Sequence, residues 1–173
     1  MECGLDAYAR TEHPPDARSA TVPEPPRTVV TFKSRAFNTS MPKPSFVNPE
    51  CFGDDVAAWL IGQLRARGLE TAEQPGAEDF GWYVRFTQND TPYCAVVGYR
   101  PDHGPDGGDW VVWLERDAGF FGSLLGRRDK GIQHEAAHLL HEILSASGEL
   151  RHIRWYFKKD FDAGREDGAS ATP

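Results

Sequence analysis

The segment richest in chemical potential is His134-Glu135-Ala136-Ala137-His138. Two histidines one helical turn apart can ligate zinc, and the glutamate between them can take a proton from a zinc-bound water. His141 and Glu142 follow, so the segment offers His134, His138 and His141 as a metal set with Glu135 as general base. Helical phase counts against a catalytic zinc. At about 100° per residue these polar side chains lie opposite the stripe of Ile132, Ala136, Ala137, Leu139, Leu140, Ile143 and Leu144, as on an ordinary solvated helix. The glycine of the extended zinc pattern is missing, because Leu139-Leu140-His141 stands there. No second helix bearing a glutamate is expected downstream, where the chain reads as a strand.

Carboxylates form the next groups. Glu78-Asp79-Phe80-Gly81-Trp82 places two acids directly before a strand. Neighbours on a strand point to opposite faces, so this pair is not an acid/base couple unless the turn re-aims it. A structural turn, in which Gly81 permits close approach and Trp82 packs on the sheet, competes with a partner-binding role. Asp102, Asp106 and Asp109 share a glycine-rich loop with His103. Their spacing lacks the alternating ligands and distal glutamate of a calcium loop, so a solvated hairpin loop or an acidic contact for a basic partner fits better. Gly126-Arg-Arg-Asp-Lys-Gly131 has basic groups ahead of a helix but lacks the Lys-Ser/Thr of a phosphate loop; Asp129 reads there as an N-cap. No Gly-x-Ser-x-Gly is present. Cys3, Cys51 and Cys94 form no Cys-x-x-Cys and read as reduced thiols.

Regular elements must hold these groups. Thr28–Phe37 reads as a first strand, rich in β-branched and aromatic residues, and Met41-Pro-Lys-Pro44 breaks it. A helix is expected over about Gly53–Arg67, with Gly68 as its stop. Short strand signals follow at Leu69, then stronger ones over Gly81–Thr87, Tyr93–Arg100 and Trp110–Arg116, separated by polar turns. These three suit an antiparallel meander. Trp110 and Trp113 face opposite sides of their strand, so one is expected in the core and the other on the outer face, open to a partner. Ile132–Ser147 reads as a second helix and His152–Phe157 as a last strand. The expected architecture is α+β: a mainly antiparallel sheet of about five to six strands packed with two helices.

The chain has 19 Lys and Arg against 26 Asp and Glu, for a net charge of −7. That balance argues against a nucleic-acid partner. The charge is unevenly placed: residues 1–27 and 159–173 contribute −2 each, leaving −3 for residues 28–158. Proline in the first segment and small residues in the second predict a disordered Pro-rich tail over 1–27 and a disordered acidic tail over 159–173, flanking a single domain over 28–158. No membrane-crossing run or secretory leader is read, so the expected location is the cytoplasm.

Phe46-Val-Asn-Pro-Glu-Cys-Phe-Gly-Asp-Asp-Val56, Glu78-Asp-Phe-Gly-Trp82 and the Trp110-x-x-Trp113 strand resemble a group of small bacterial proteins of unassigned activity. In size and acidity the chain also looks like immunity proteins of bacterial polymorphic toxin systems. That likeness implies a non-enzymatic binding protein that neutralises a toxin by direct contact, without a cofactor and with a basic toxin domain as partner. The expected contacts are Glu78, Asp79, Trp82, Asp102, Asp106, Asp109 and Trp110. The alternative is a small zinc-dependent hydrolase built on His134, Glu135, His138 and His141. A nucleotide or small-molecule sensor using Arg127–Lys130 is a third reading.

Overall fold

Along residues 82–86, 93–97 and 110–114 the side chains alternate, and the alternation selects one face of a sheet for burial. The computed structural model describes residues 24–102, 107–117 and 131–173. Its elements are β1 (Val29–Lys33), α1 (Asp54–Ala66), β2 (Glu70–Thr71), β3 (Gly76–Glu78), β4 (Gly81–Gln88), β5 (Thr91–Arg100), β6 (Asp109–Arg116), α2 (His134–Ser145), β7 (Arg151–Tyr156) and α3 (Lys158–Asp162). The strands form one sheet in the order β2-β4-β5-β6-β1-β7, with β3 also on β4. Every pairing is antiparallel. The α+β expectation therefore holds, with seven strands among the described residues in place of five or six, and a short third helix.

The meander of β4, β5 and β6 is the central unit. Asn89 and Asp90, both at positive φ, form the two-residue turn between β4 and β5. β1 then inserts between β6 and β7, antiparallel to both. The chain reaches the two edges by way of the helices. α1 leads from β1 to β2, and the segment containing α2 leads from β6 to β7. Val56, Ala57, Leu60, Ile61 and Leu64 of α1 and Ala136, Ala137, Leu140, Ile143 and Leu144 of α2 join one buried cluster with Val84, Phe86, Tyr93, Val97, Trp110 and Trp155. Both helices thus cover the same face. Asp54 and Asp55 in the first turn of α1 complement its positive end.

β3 was not expected, since Gly76-Ala77-Glu78 has no β-branched or aromatic residue. It pairs because the chain, after a bend at Glu73 and Gln74, runs beside β4. Gly76 is required there: a Cβ would fall 2.0 Å from the Tyr83 ring. α2 begins two residues later than Ile132, with Gln133 at its N-cap. Asp129, read as that cap, lies outside the described residues, as does Arg127–Lys130.

The expected disordered acidic tail over 159–173 is replaced by an ordered return. α3 packs Phe161 against Tyr156, with ring centroids 5.4 Å apart. Phe161 and Ala169 join Val29, Val111, Trp113 and Tyr156 in a second cluster on the outer face. Ser170 then exchanges two backbone hydrogen bonds with Trp155, 2.8 and 2.9 Å, along the free edge of β7. Glu166 pairs with Arg100 across the outer face. Composition misled here because one phenylalanine and the pairing of a sheet edge hold the segment, and neither registers in average hydropathy. Of the Pro-rich tail read over 1–27, residues 1–23 lie outside the described residues. Residues 24–27 dock: the Glu24 carbonyl lies 2.9 Å from His134 Nε2, and the Arg27 guanidinium sits 4.3 Å from the Phe157 ring centroid.

Trp155 and Tyr156 are buried on opposite faces of β7, so the C-terminal return protects both a face and an edge. A chain ending at Phe157 is expected to lose about 2 kcal/mol of stability through exposure of Tyr156 and Trp113. It is also expected to self-associate through the uncovered edge. Calorimetry and light scattering read the two effects; an unchanged melting temperature in a monomeric truncation would refute the account.

Candidate binding surface

The carboxylates before β4 sit on a turn that a neighbouring loop holds in place. Between β1 and α1 the chain runs through residues 34–53 without regular structure, pinned by aromatic side chains turned inward. Phe37 meets Trp59 and Trp110 edge-on at 6.0 and 5.7 Å. Phe46 meets Phe52 and Trp82 at 5.9 and 5.2 Å. The Trp82 indole N–H donates to the Cys51 carbonyl at 2.8 Å. Two further donors, Asn48 Nδ2 at 2.9 Å and Cys51 Sγ at 3.3 Å, converge on the carbonyl of Asp79. Loop and turn therefore form one surface.

That surface carries exposed apolar side chains and exposed acids. Among the described residues, the large hydrophobic side chains left exposed are Met41, Val47 and Phe80, at 73, 62 and 53%. Met41 and Val47 belong to the loop and Phe80 to the turn. Glu50, Glu78 and Asp79, on the same loop and turn, are exposed, and Phe80 and Glu78 share a hollow with Arg85 and Arg116. Gly81 makes the turn possible: its φ is +152°, and a Cβ would lie 2.6 Å from the Val97 carbonyl oxygen. The close approach expected of this glycine is present. Burial pushes the Cys51 thiol up, with Asp79 and Glu50 adding to the shift, so the sulfur is a donor here and no thiolate nucleophile.

The remaining expected contacts divide. Trp110 is fully buried against Phe37 and Tyr99, and Trp82 is 8% exposed. Neither is available to a partner, which corrects the expectation; both faced the helix-covered side, where burial is greatest. Trp113 occupies the outer face, half-buried, with its N–H on Glu115 at 3.0 Å. The two tryptophans do take opposite faces. Asp109 is engaged internally, receiving Lys33 at 3.3 Å and Arg100 at 3.0 Å. Asp102 is exposed on its loop, and Asp106 lies outside the described residues. Of the expected acids, Glu78, Asp79 and Asp102 are thus exposed, and Asp109 is held in ion pairs. Met41, Val47 and Phe80 escaped the sequence reading because Phe46 and Phe52, in the same loop, are as apolar and turn inward.

On α2, His134, Glu135, His138 and Glu142 are exposed, opposite the buried stripe. His134 meets the Glu24 carbonyl, and Glu135 offers only its backbone carbonyl, to Gln88 at 3.4 Å. His141 is different. Its Nδ1 accepts the indole N–H of the fully buried Trp155 at 3.2 Å. Among the described residues no three His, Cys, Asp or Glu side chains are grouped to hold a metal ion. Burial pushes the His141 imidazole down from its ordinary value of 6.5, with His138 adding to the effect and Glu142 opposing it.

Two outcomes follow. Gly81→Ala should lower stability by about 2 kcal/mol, from positive φ and the carbonyl clash together, as read by urea unfolding. For His141 the folded-state value lies below the unfolded one. Its contribution is therefore complete above pH 6.5 and is lost as pH falls through the depressed value. A glutamine can accept the same indole proton and does not titrate. Between about pH 7 and 5 the wild type should lose more melting temperature than His141→Gln; parallel curves would show that the Trp155 contact carries no pH dependence.

In comparisons with known proteins the chain matches no family model, no curated protein and no solved structure.

Proposed function

We propose that the protein is a non-enzymatic binding protein, of the kind that neutralises a bacterial toxin, and that it engages a basic partner domain through the surface of Met41, Val47, Glu50, Glu78, Asp79 and Phe80. The observation that carries the reading is that Met41, Val47 and Phe80, the large hydrophobics left exposed among the described residues, lie on a loop and a turn that are tied together at the Asp79 carbonyl and that also expose Glu50, Glu78 and Asp79.

Apolar side chains at the centre of a patch supply most of the affinity once water is excluded, and charges at its rim steer encounter and select partners. Here the exposed carboxylates of Glu50, Glu78 and Asp79 suit a cationic partner. The patch is also preorganised. Trp82, Phe46 and Phe52 hold the loop from beneath, so little ordering entropy is lost on binding. Thus the buried tryptophan supports recognition without touching the partner.

The test is co-expression with each candidate toxin domain that a neighbouring gene encodes, followed by affinity measurement with any pair that forms. Phe80→Ala is expected to weaken binding by about 2 kcal/mol, near thirtyfold. Glu78→Lys with Asp79→Lys should slow association and remove its salt dependence. Absence of protection, or variants that bind like wild type, would refute the proposal.

A further inference from the structure

At the far side of the sheet from Phe80, the charge reverses. β4 and β7 are four strand spacings apart, roughly 19 Å. There the end of β1, the turn after α2 and the start of β7 enclose an open cleft of about 530 Å³. Lys33, Ser34 and Arg35 line one side; Glu149, Arg151 and His152 line the other. Among the described residues the lining thus brings Lys33, Arg35, Arg151 and an imidazole together with one carboxylate, in a chain whose acids outnumber its bases, 26 to 19.

The backbone is specialised at the same place. Between Thr31 and Lys33 the β1–β7 register slips, with Thr31 opposite Arg154 but Lys33 opposite Arg151. Two β7 residues, His152 and Ile153, therefore oppose Phe32 alone. His152 carries the bulge at φ +55°, a position usually given to glycine. Strain of this kind persists where the surroundings hold it, and bulges commonly re-aim side chains at sites. Lys33 is held by the Gly107 carbonyl at 2.8 Å and by Asp109 at 3.3 Å. Among the described residues, Arg151 has no ion pair, so its guanidinium is uncommitted.

We infer that this cleft is a binding site for a small phosphorylated polyanion, with Arg151, Arg35 and Lys33 as its cationic contacts and His152 as a positioned ring donor. The volume is that of a small-ligand site. Guanidinium groups match phosphate oxygens in pairs. Among the described residues the one ring in the lining is the histidine's, and the paired cations suit a pyrophosphate or sugar-phosphate group. The site is independent of the acidic surface, and its failure would leave that proposal standing.

Inorganic pyrophosphate is the probe, titrated into the full chain by calorimetry and followed at the His152 ring protons by NMR. Saturable binding with shifts at His152 is expected. Arg151→Ala should weaken it about tenfold, and Glu149→Gln, which removes the opposing charge, should tighten it about threefold. His152→Gly separates structure from binding: the positive φ is relieved, so the melting temperature should hold or rise while pyrophosphate affinity falls. Absent or non-saturable binding would overturn the inference. So would equal affinity in Arg151→Ala and Glu149→Gln, or binding of a single-stranded oligonucleotide or an acidic peptide in place of pyrophosphate.

Discussion

The indole of Trp155 must be buried and its N–H must still find an acceptor, and much of the fold is arranged around that pair of demands. Burying the ring contributes about 3 kcal/mol, and leaving its N–H unpaired would cost about 1–3 kcal/mol. His141 Nδ1 meets the second demand from α2. The same residue sits opposite Val30 of β1 and exchanges backbone hydrogen bonds with Ser170. One residue therefore ties the helix layer, the edge strand, the inserted strand and the C-terminal return. It also decides the chemistry of α2, since an imidazole nitrogen accepting an indole proton is committed to structure while it does so.

Trp82 plays the matching part at the other side. Its N–H is satisfied by the Cys51 carbonyl, and its face receives Phe46. A twenty-residue loop without regular structure would ordinarily be the softest part of a small domain. Here Phe37, Phe46 and Phe52 insert into the edge of the core, so the loop is anchored at several points. The side chains left over, Met41 and Val47, face outward because the inward positions are filled. Exposure of apolar surface at this place is thus a consequence of how the loop is held.

Charge follows a similar logic. Asp109 lies between Lys33 and Arg100, and Glu166 returns to Arg100 from the C-terminal segment. These groups neutralise one another across the end of the sheet. Exposed carboxylates lie on the segments around Phe80, and Arg151 stands without an ion pair among the described residues beside the bulge at His152. The net charge describes neither. Local geometry, and not the excess of acids, sets which face attracts which kind of partner.

Much of the architecture was legible in the residues. The alternation in Trp82–Phe86, Tyr93–Val97 and Trp110–Leu114 dictates strands with one buried face, and the apolar stripes at Val56–Leu64 and Ala136–Leu144 dictate two helices, because pleat and helix periods are properties of the local backbone. The opposite facing of Trp110 and Trp113 and the exposure of His134, Glu135 and His138 follow from the same periods. Other features depended on what each residue meets across space. β3 exists because of Tyr83 and β4, the C-terminal return because of Tyr156 and the β7 edge, and the bulge at His152 because two strands differ in length by one residue. Sequence also could not tell Phe46 from Phe80, or Asp109 from Asp79: each pair is alike in type, and burial or an ion pair with a distant residue separates them. Periodicity is written in the chain, whereas the identity of a neighbour many residues away comes only from closing the sheet.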